Sequence, residues 1–183
     1  MPGPPTPADH ALLRAVSLIV FDFDGVFTDN GVYVTQEGVE SVRCDRSDGL
    51  GIGMLLAAGL RAAVLSAEVN PVVSFRCQKL KLECVQGAKD KPAALGELLA
   101  RCAVDPSNAA YVGNDVNDVP CMKLVGFPIA VADAWPGVAD HARFVTTRPG
   151  GHGAVREVCE WFLAASGKSD LASLSTRGAG NHT

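Results

Sequence analysis

The stretch FDFDGVFTDN, residues 21–30, puts two carboxylates, Asp22 and Asp24, two positions apart at the end of an apolar run. In a regular strand, residues i and i+2 point to the same side. Two carboxylates so placed repel each other unless a cation lies between them or one keeps its proton. Gly25 follows and lets the backbone turn sharply. Asp22 comes directly after LIVF, so it is expected to be partly buried rather than set on a solvated turn. A second polar group stands in YVGNDVND, residues 111–118, where Asn114, Asp115 and Asp118 follow another apolar run. Alone, that group reads equally well as a capped helix start. Together with the first pair it brings four carboxylates to one edge, and all-oxygen ligands suit a hard divalent cation such as Mg2+. Two weaker signals join them. Ser66 closes the run LRAAVLS, and Lys91 opens a helical pattern, with Lys89 as a competing cation two residues earlier. In isolation, such a serine is a turn residue and such a lysine a solvated charge.

These residues need elements that carry them to one place. Apolar runs at 17–23, 60–66, 108–114, 127–133 and 142–147 read as strands. Between them lie helical patterns at 48–59, 71–80, 91–102, 117–126 and 153–165. Gly59 and Gly126 mark helix ends; Asn70-Pro71 and Asp90-Lys91-Pro92 mark starts. This alternation predicts an α/β fold: a doubly wound, Rossmann-like parallel sheet covered on both faces. In such sheets ligands gather at the carboxyl ends of the strands, where the polar residues closing each run converge. One segment breaks the alternation. GVYVTQEGVESVRC, residues 31–44, has two β-like runs around Gln36-Glu37-Gly38 and predicts a hairpin inserted after the first strand.

The chain has 183 residues, 48% hydrophobic and 20% charged, which fits one folded domain and excludes a wholly disordered chain. A net charge of −4 argues against a nucleic-acid or anionic-membrane surface. No apolar run approaches the roughly 18–20 residues a bilayer span needs, and the N-terminus lacks the build of a signal peptide. The six cysteines form no CxxC pair and read as small buried hydrophobes in a reducing cytoplasm, not as a zinc site. Residues 1–10 are expected to be a flexible arm, 11–165 a single domain, and 166–183 a flexible tail.

The ordered set Asp-x-Asp-Gly, Ser, Lys and an acidic strand-end motif resembles the haloacid dehalogenase superfamily. DFDGVFTDNGVYV, DRSDGLGIGML, QGAKDK, YVGNDVNDVPCM and GGHGAVREVCE, in that order, are similar to one subfamily of it. That subfamily holds 3-deoxy-manno-octulosonate-8-phosphate phosphatases and the phosphatase-like C-terminal domains of acylneuraminate cytidylyltransferases. The resemblance spans about residues 15–165. It implies a Mg2+-dependent phosphatase of a phosphorylated acid sugar with no large cap domain. By it, Asp22 is the nucleophile that forms an aspartyl-phosphate, and Asp24 is the general acid and base. Ser66 and Lys91 hold phosphoryl oxygens. Asp22, Asp24 and the group Asn114, Asp115 and Asp118 serve the metal. Where many members have an aspartate this chain has Asn114, so either Asn114 or the neighbouring Asp115 is the ligand implied. Thr28, Arg46, Asp48 and Arg156 fall in blocks the resemblance places near the substrate mouth. It also implies a homotetramer in which the hairpins, 31–44, meet and cover the sites. A phosphatase-like module kept for assembly, or a phosphatase of another phosphosugar, are the alternatives.

Overall fold

The computed structural model describes residues 2–168. Elements in chain order are α1 (His10–Leu13), β1 (Leu18–Phe21), β2 (Thr28–Val34), β3 (Glu40–Cys44) and α2 (Arg46–Ala57). They continue with β4 (Ala62–Leu65), α3 (Val72–Leu80), β5 (Glu83–Val85), α4 (Lys91–Arg101) and β6 (Ala109–Gly113). The chain closes with α5 (Val119–Met122), β7 (Phe127–Ala130), β8 (Phe144–Val145) and α6 (Ala154–Ala165). Six strands form one parallel sheet in the order β5-β4-β1-β6-β7-β8, while β2 and β3 pair separately as an antiparallel hairpin. The α/β fold with a hairpin after the first strand and, among the described residues, no large cap is therefore as expected.

Strand β1 runs in the centre because all four of its residues are apolar and buried, which only a strand covered on both faces requires. Alternation along it splits the core. Ile19 and Phe21 face one side with Ile52 and Leu55 of α2, Val73 of α3 and Val158 and Phe162 of α6. Leu18 and Val20 face the other side with Leu95, Leu98 and Leu99 of α4 and Met122 of α5. The carboxyl ends of β1, β4 and β6 come out side by side, and the residues that end them are Asp22, Ser66 and Asn114.

Several bounds differ from the sequence pattern, each for a local reason. The hairpin begins at Thr28 rather than 31, with a register shift between Thr28 and Val32, because the turn after β1 feeds directly into β2. The helix expected at 117–126 is a 3-10 turn, Val116–Asp118, followed by only Val119–Met122; a proline near its start and Gly126 soon after keep it short. β5 has three residues and no periodic signature. Within residues 1–10, expected as a flexible arm, Pro7–Asp9 form a 3-10 turn whose Asp9 carboxylate accepts from the Thr6 N–H, and Val145 donates to the Gly3 carbonyl at the edge of the sheet. Most of the expected tail, from residue 169 on, lies outside the described residues. Among the described residues no helix is long and apolar enough to cross a membrane.

Candidate active site

Asp22 sits at the last pleat of β1 and is 5% exposed. The turn after it is pinned from below. Phe23 and Phe27 are buried and stack at 5.8 Å, and the N–H groups of Val26, Phe27 and Thr28 all point to the Phe23 carbonyl. This tight loop lifts Asp24 to the rim of the cleft, half-buried. Gly25 has φ +74, and a Cβ there would run into the Asn114 side chain, so the first and last motifs interlock at a position only glycine can fill.

The floor is an ionic cluster. Lys91 opens α4, where Asp90 caps the helix by accepting from the Ala93 N–H. Its ammonium, 4% exposed, lies 2.9 Å from Asp22 Oδ2 and 2.8 Å from Asp118 Oδ1. Asp118 Oδ1 also accepts from the Tyr111 hydroxyl at 2.8 Å, and its Oδ2 accepts from the N–H groups of Asn114 and Asp115. Gly113 makes room for this, since a Cβ there would meet the Asp118 carboxylate.

Burial pushes the Asp22 carboxyl up to about 7, with the Asp118 charge adding to it and Lys91 opposing. Asp24 is also raised, first by burial and then by the charge of Glu68. For Lys91 burial opposes the charged form, but the Asp22 and Asp118 carboxylates outweigh it and hold the ammonium above its ordinary value.

An open cleft of about 440 Å³ lies over this floor. It brings together six of the expected residues: Asp22, Asp24, Ser66, Lys91, Asn114 and Asp115. Lys89 lines a separate depression beside it, so Lys91 is the lysine of the floor. Asp118 stands beneath the cleft instead of in its wall. It accepts from four donors, Lys91 among them, so of the group expected to serve the metal Asn114 and Asp115 line the cleft while Asp118 lies under it and holds Lys91.

Four other expected residues do not line the cleft. Thr28 is wholly buried, with its hydroxyl accepting from the N–H groups of Gly25 and Asn30, so it braces the catalytic turn. Asp48 is wholly buried in α2 and accepts from the Arg156 N–H in the first turn of α6, while the Arg156 side chain pairs with Glu160. Arg46 is exposed at the start of α2. Motif resemblance marked these positions without fixing which way each side chain points.

Sequence reasoning passed over three polar residues of the wall, Asn30, Glu68 and Asn117. Asn30 has φ +61, and Asn-Gly in the sequence was the available sign of that left-handed turn. Glu68 lies two residues past Ser66, and one of its oxygens accepts from the N–H groups of Val69 and Asn70.

The cleft has the makings of a cation site. Asn114 Oδ1 is buried and has no partner, a costly state for an amide oxygen unless something else binds it. It shares the wall with the raised carboxyls of Asp22 and Asp24. A hard divalent cation fits such an oxygen set.

A parallel sheet with paired acids at the central strand end, facing a serine and a buried lysine on the next motifs, defines a class, and comparison with known proteins agrees. The sequence profile of haloacid dehalogenase-like hydrolases matches residues 60–157. The chain belongs to this family and is an enzyme of it. The relatives narrow the picture. The chain is 39% identical over 173 residues to the 3-deoxy-D-manno-octulosonate 8-phosphate phosphatase of Salmonella typhimurium, covering 93% of this chain and 91% of the relative. Among solved structures, a haloacid dehalogenase family hydrolase from Streptomyces avermitilis is 44% identical with a TM-score of 0.82, covering 90% of this chain and 97% of its own. The Moraxella catarrhalis 3-deoxy-D-manno-octulosonate 8-phosphate phosphatase, solved with magnesium, phosphate and the sugar, is 30% identical with a TM-score of 0.87, covering 94% and 99%.

Proposed function

We propose that this enzyme is a Mg2+-dependent phosphatase that hydrolyses a phosphorylated acid sugar, an ulosonate or nonulosonate phosphate, through an aspartyl-phosphate on Asp22. The observation that carries the reading is the single cleft in which Asp22 and Asp24 face Ser66 and Lys91. Asp22 is placed to attack phosphorus as the bond to the sugar oxygen breaks. Asp24 at the rim of the cleft is placed to give a proton to that leaving oxygen, and its burial favours the protonated form. It then takes a proton from water, whose oxygen attacks the phosphoryl group and returns Asp22 as a carboxylate. The Lys91 ammonium and the Ser66 hydroxyl hold phosphoryl oxygens.

Asp22, Asp24 and Asn114 are the residues that would hold Mg2+, with Asp115 beside them. Bound there, the cation neutralises the carboxylates and the phosphoryl oxygens. Without such neutralisation, two unit charges about 4 Å apart repel by roughly 4 kcal/mol at an effective dielectric of 20. The relatives named as octulosonate 8-phosphate phosphatases, one with magnesium, phosphate and sugar bound, support both the substrate class and the metal.

The hairpin supports self-association, in a homotetramer whose hairpins, 31–44, meet. Val32, Tyr33, Val34 and Val39 are each more than half exposed on it, and a two-stranded hairpin is marginal alone in water. The six free thiols fit a reducing cytoplasm. A second reading, a module kept for assembly with weak turnover, is favoured by Asn114, which brings no charge to the cation.

The test is phosphate release across a panel of sugar phosphates, with and without Mg2+. Selective turnover of eight- or nine-carbon acid-sugar phosphates that vanishes in EDTA is expected. Undiminished turnover after exhaustive chelation overturns the metal. No turnover of any member overturns the enzyme reading in favour of the module.

A further inference from the structure

Tyr111 is the largest fully buried side chain among the described residues, at the centre of β6 beside Val20 of β1. A phenylalanine would fill the same space between α4 and α5. The hydroxyl is the polar exception in an apolar cluster, and a buried hydroxyl without a partner is costly. Here it has one, and the partner is the carboxylate that anchors the floor of the cleft. Tyr111 Oη donates to Asp118 Oδ1 at 2.8 Å, the same oxygen that takes the Lys91 ammonium at 2.8 Å. Burial, together with the Asp22 and Asp118 charges, holds the phenol protonated, so it acts as a fixed donor.

We propose that Tyr111 is a positioning residue for the phosphatase chemistry: its hydroxyl shares Asp118 Oδ1 with Lys91 and thereby sets where the ammonium stands. The argument is one of competition. Lys91 has three N–H donors. One goes to Asp118 and one to Asp22, and the third is left for an oxygen in the cleft. Asp118 Oδ2 is already fixed by two backbone N–H groups, so Oδ1 is where the balance is struck. With the phenol on Oδ1, Asp118 draws on Lys91 less strongly, and the ammonium stays shared with Asp22. Without it, Lys91 is the sole donor to that oxygen and shifts toward Asp118, away from Asp22 and the transferring group. Tyr111 itself touches no substrate, so its effect passes wholly through Asp118 and Lys91.

The proposal rests on the phosphatase reading, and the experiment separates the two. Tyr111→Phe, Asp118→Asn and the double variant are assayed with Mg2+ on a phosphate monoester that the wild type hydrolyses. A wild type that turns over no ester defeats the reading above. With an active wild type, Tyr111→Phe is expected to lower kcat about tenfold, the range of one buried hydrogen bond. KM should change by less than about twofold, because the loss falls on the chemical step. Binding of orthovanadate, measured by calorimetry without turnover, should weaken in step with kcat, whereas inorganic phosphate should bind nearly as before. The double variant should be no slower than Asp118→Asn alone, since both changes break one chain of contacts. Wild-type kcat in Tyr111→Phe overturns the proposal. So do losses that add in the double variant, or a Tyr111→Phe chain that unfolds below the assay temperature, which would make the hydroxyl a prop for the fold alone.

Discussion

At the floor of the cleft, Asp118 is wholly buried and takes four hydrogen bonds, and Lys91 is tied to two carboxylates. Beside the cleft, the hairpin leaves Val32, Tyr33, Val34 and Val39 more than half exposed, and the helix that follows it buries Asp48 with one oxygen unpartnered. The floor is complete within one chain: every charge there has an opposite charge or a donor. The hairpin side is incomplete. Its apolar residues lack cover and its buried acid lacks a second donor. On the function proposed above, the chemistry that needs fixed charges belongs to the first region, and recognition of the rest of a substrate belongs to a region that a second copy of the chain would cover.

The largest test of that contrast strikes the floor. Asp22→Asn should cut phosphate release roughly a thousandfold or more, because an amide is a far poorer nucleophile than a carboxylate. Circular dichroism should show the fold retained, since Asp118 still pairs Lys91. A purified variant that turns over at the wild-type rate would remove the covalent step.

The next test strikes the hairpin. Val32→Lys with Val34→Lys should lower the mass seen by light scattering. It should also reduce kcat/KM for the proposed acid-sugar phosphate substrate about tenfold, with a smaller loss on a generic ester that needs only the floor. A wild type that is monomeric and fully active at high dilution would show the hairpin side to be complete as it stands.

The smallest effect on turnover is expected at Asp48. Burial lifts its carboxyl to about 6, with the Arg156 N–H partly opposing. An acid raised on folding favours the protonated native state. That contribution is full below the unfolded value near 3.8 and is lost as pH rises through about 6. About 2 pH units correspond to on the order of 3 kcal/mol. Asp48→Asn should therefore flatten the decline in urea stability between pH 4 and 7 while activity stays near wild type. An unchanged slope would assign the decline to other groups.

The parts legible in the sequence were those written as long apolar runs with a polar stop. The central strands, the hairpin and the convergence of the polar strand ends, Asp22 and Ser66 among them, followed from period and from residue type, whereas Lys91 was marked only by the family resemblance. β5 was not legible, because three residues carry no period, and the 3-10 turn at Pro7–Asp9 was masked by the prolines that begin it. The inward turn of Thr28 and Asp48 escaped for another reason. Their side chains answer to backbone donors on Gly25, Asn30 and Arg156, contacts that no sequence period encodes. Glu68 escaped because its loop is fixed by hydrogen bonds to the following two N–H groups, a purely local geometry.

The order of the sheet carries a consequence for how the protein is born. β1 is the central strand, yet neither of its neighbours is close in sequence: it pairs with Ala62–Leu65 on one side and Ala109–Gly113 on the other. As the chain leaves the ribosome, the segment bearing Asp22 and Asp24 emerges early and waits. Its apolar strand stays unpaired until β4 is made, and the charges of its loop can meet Asp118 only after β6 has followed. Pairings of such long range are slow to form and leave exposed edges meanwhile. Ribosome-bound chains ending before Gly113 will hold Asp22 and Asp24 without Asn114, Asp115 and Asp118, so the cleft cannot be complete until late in synthesis.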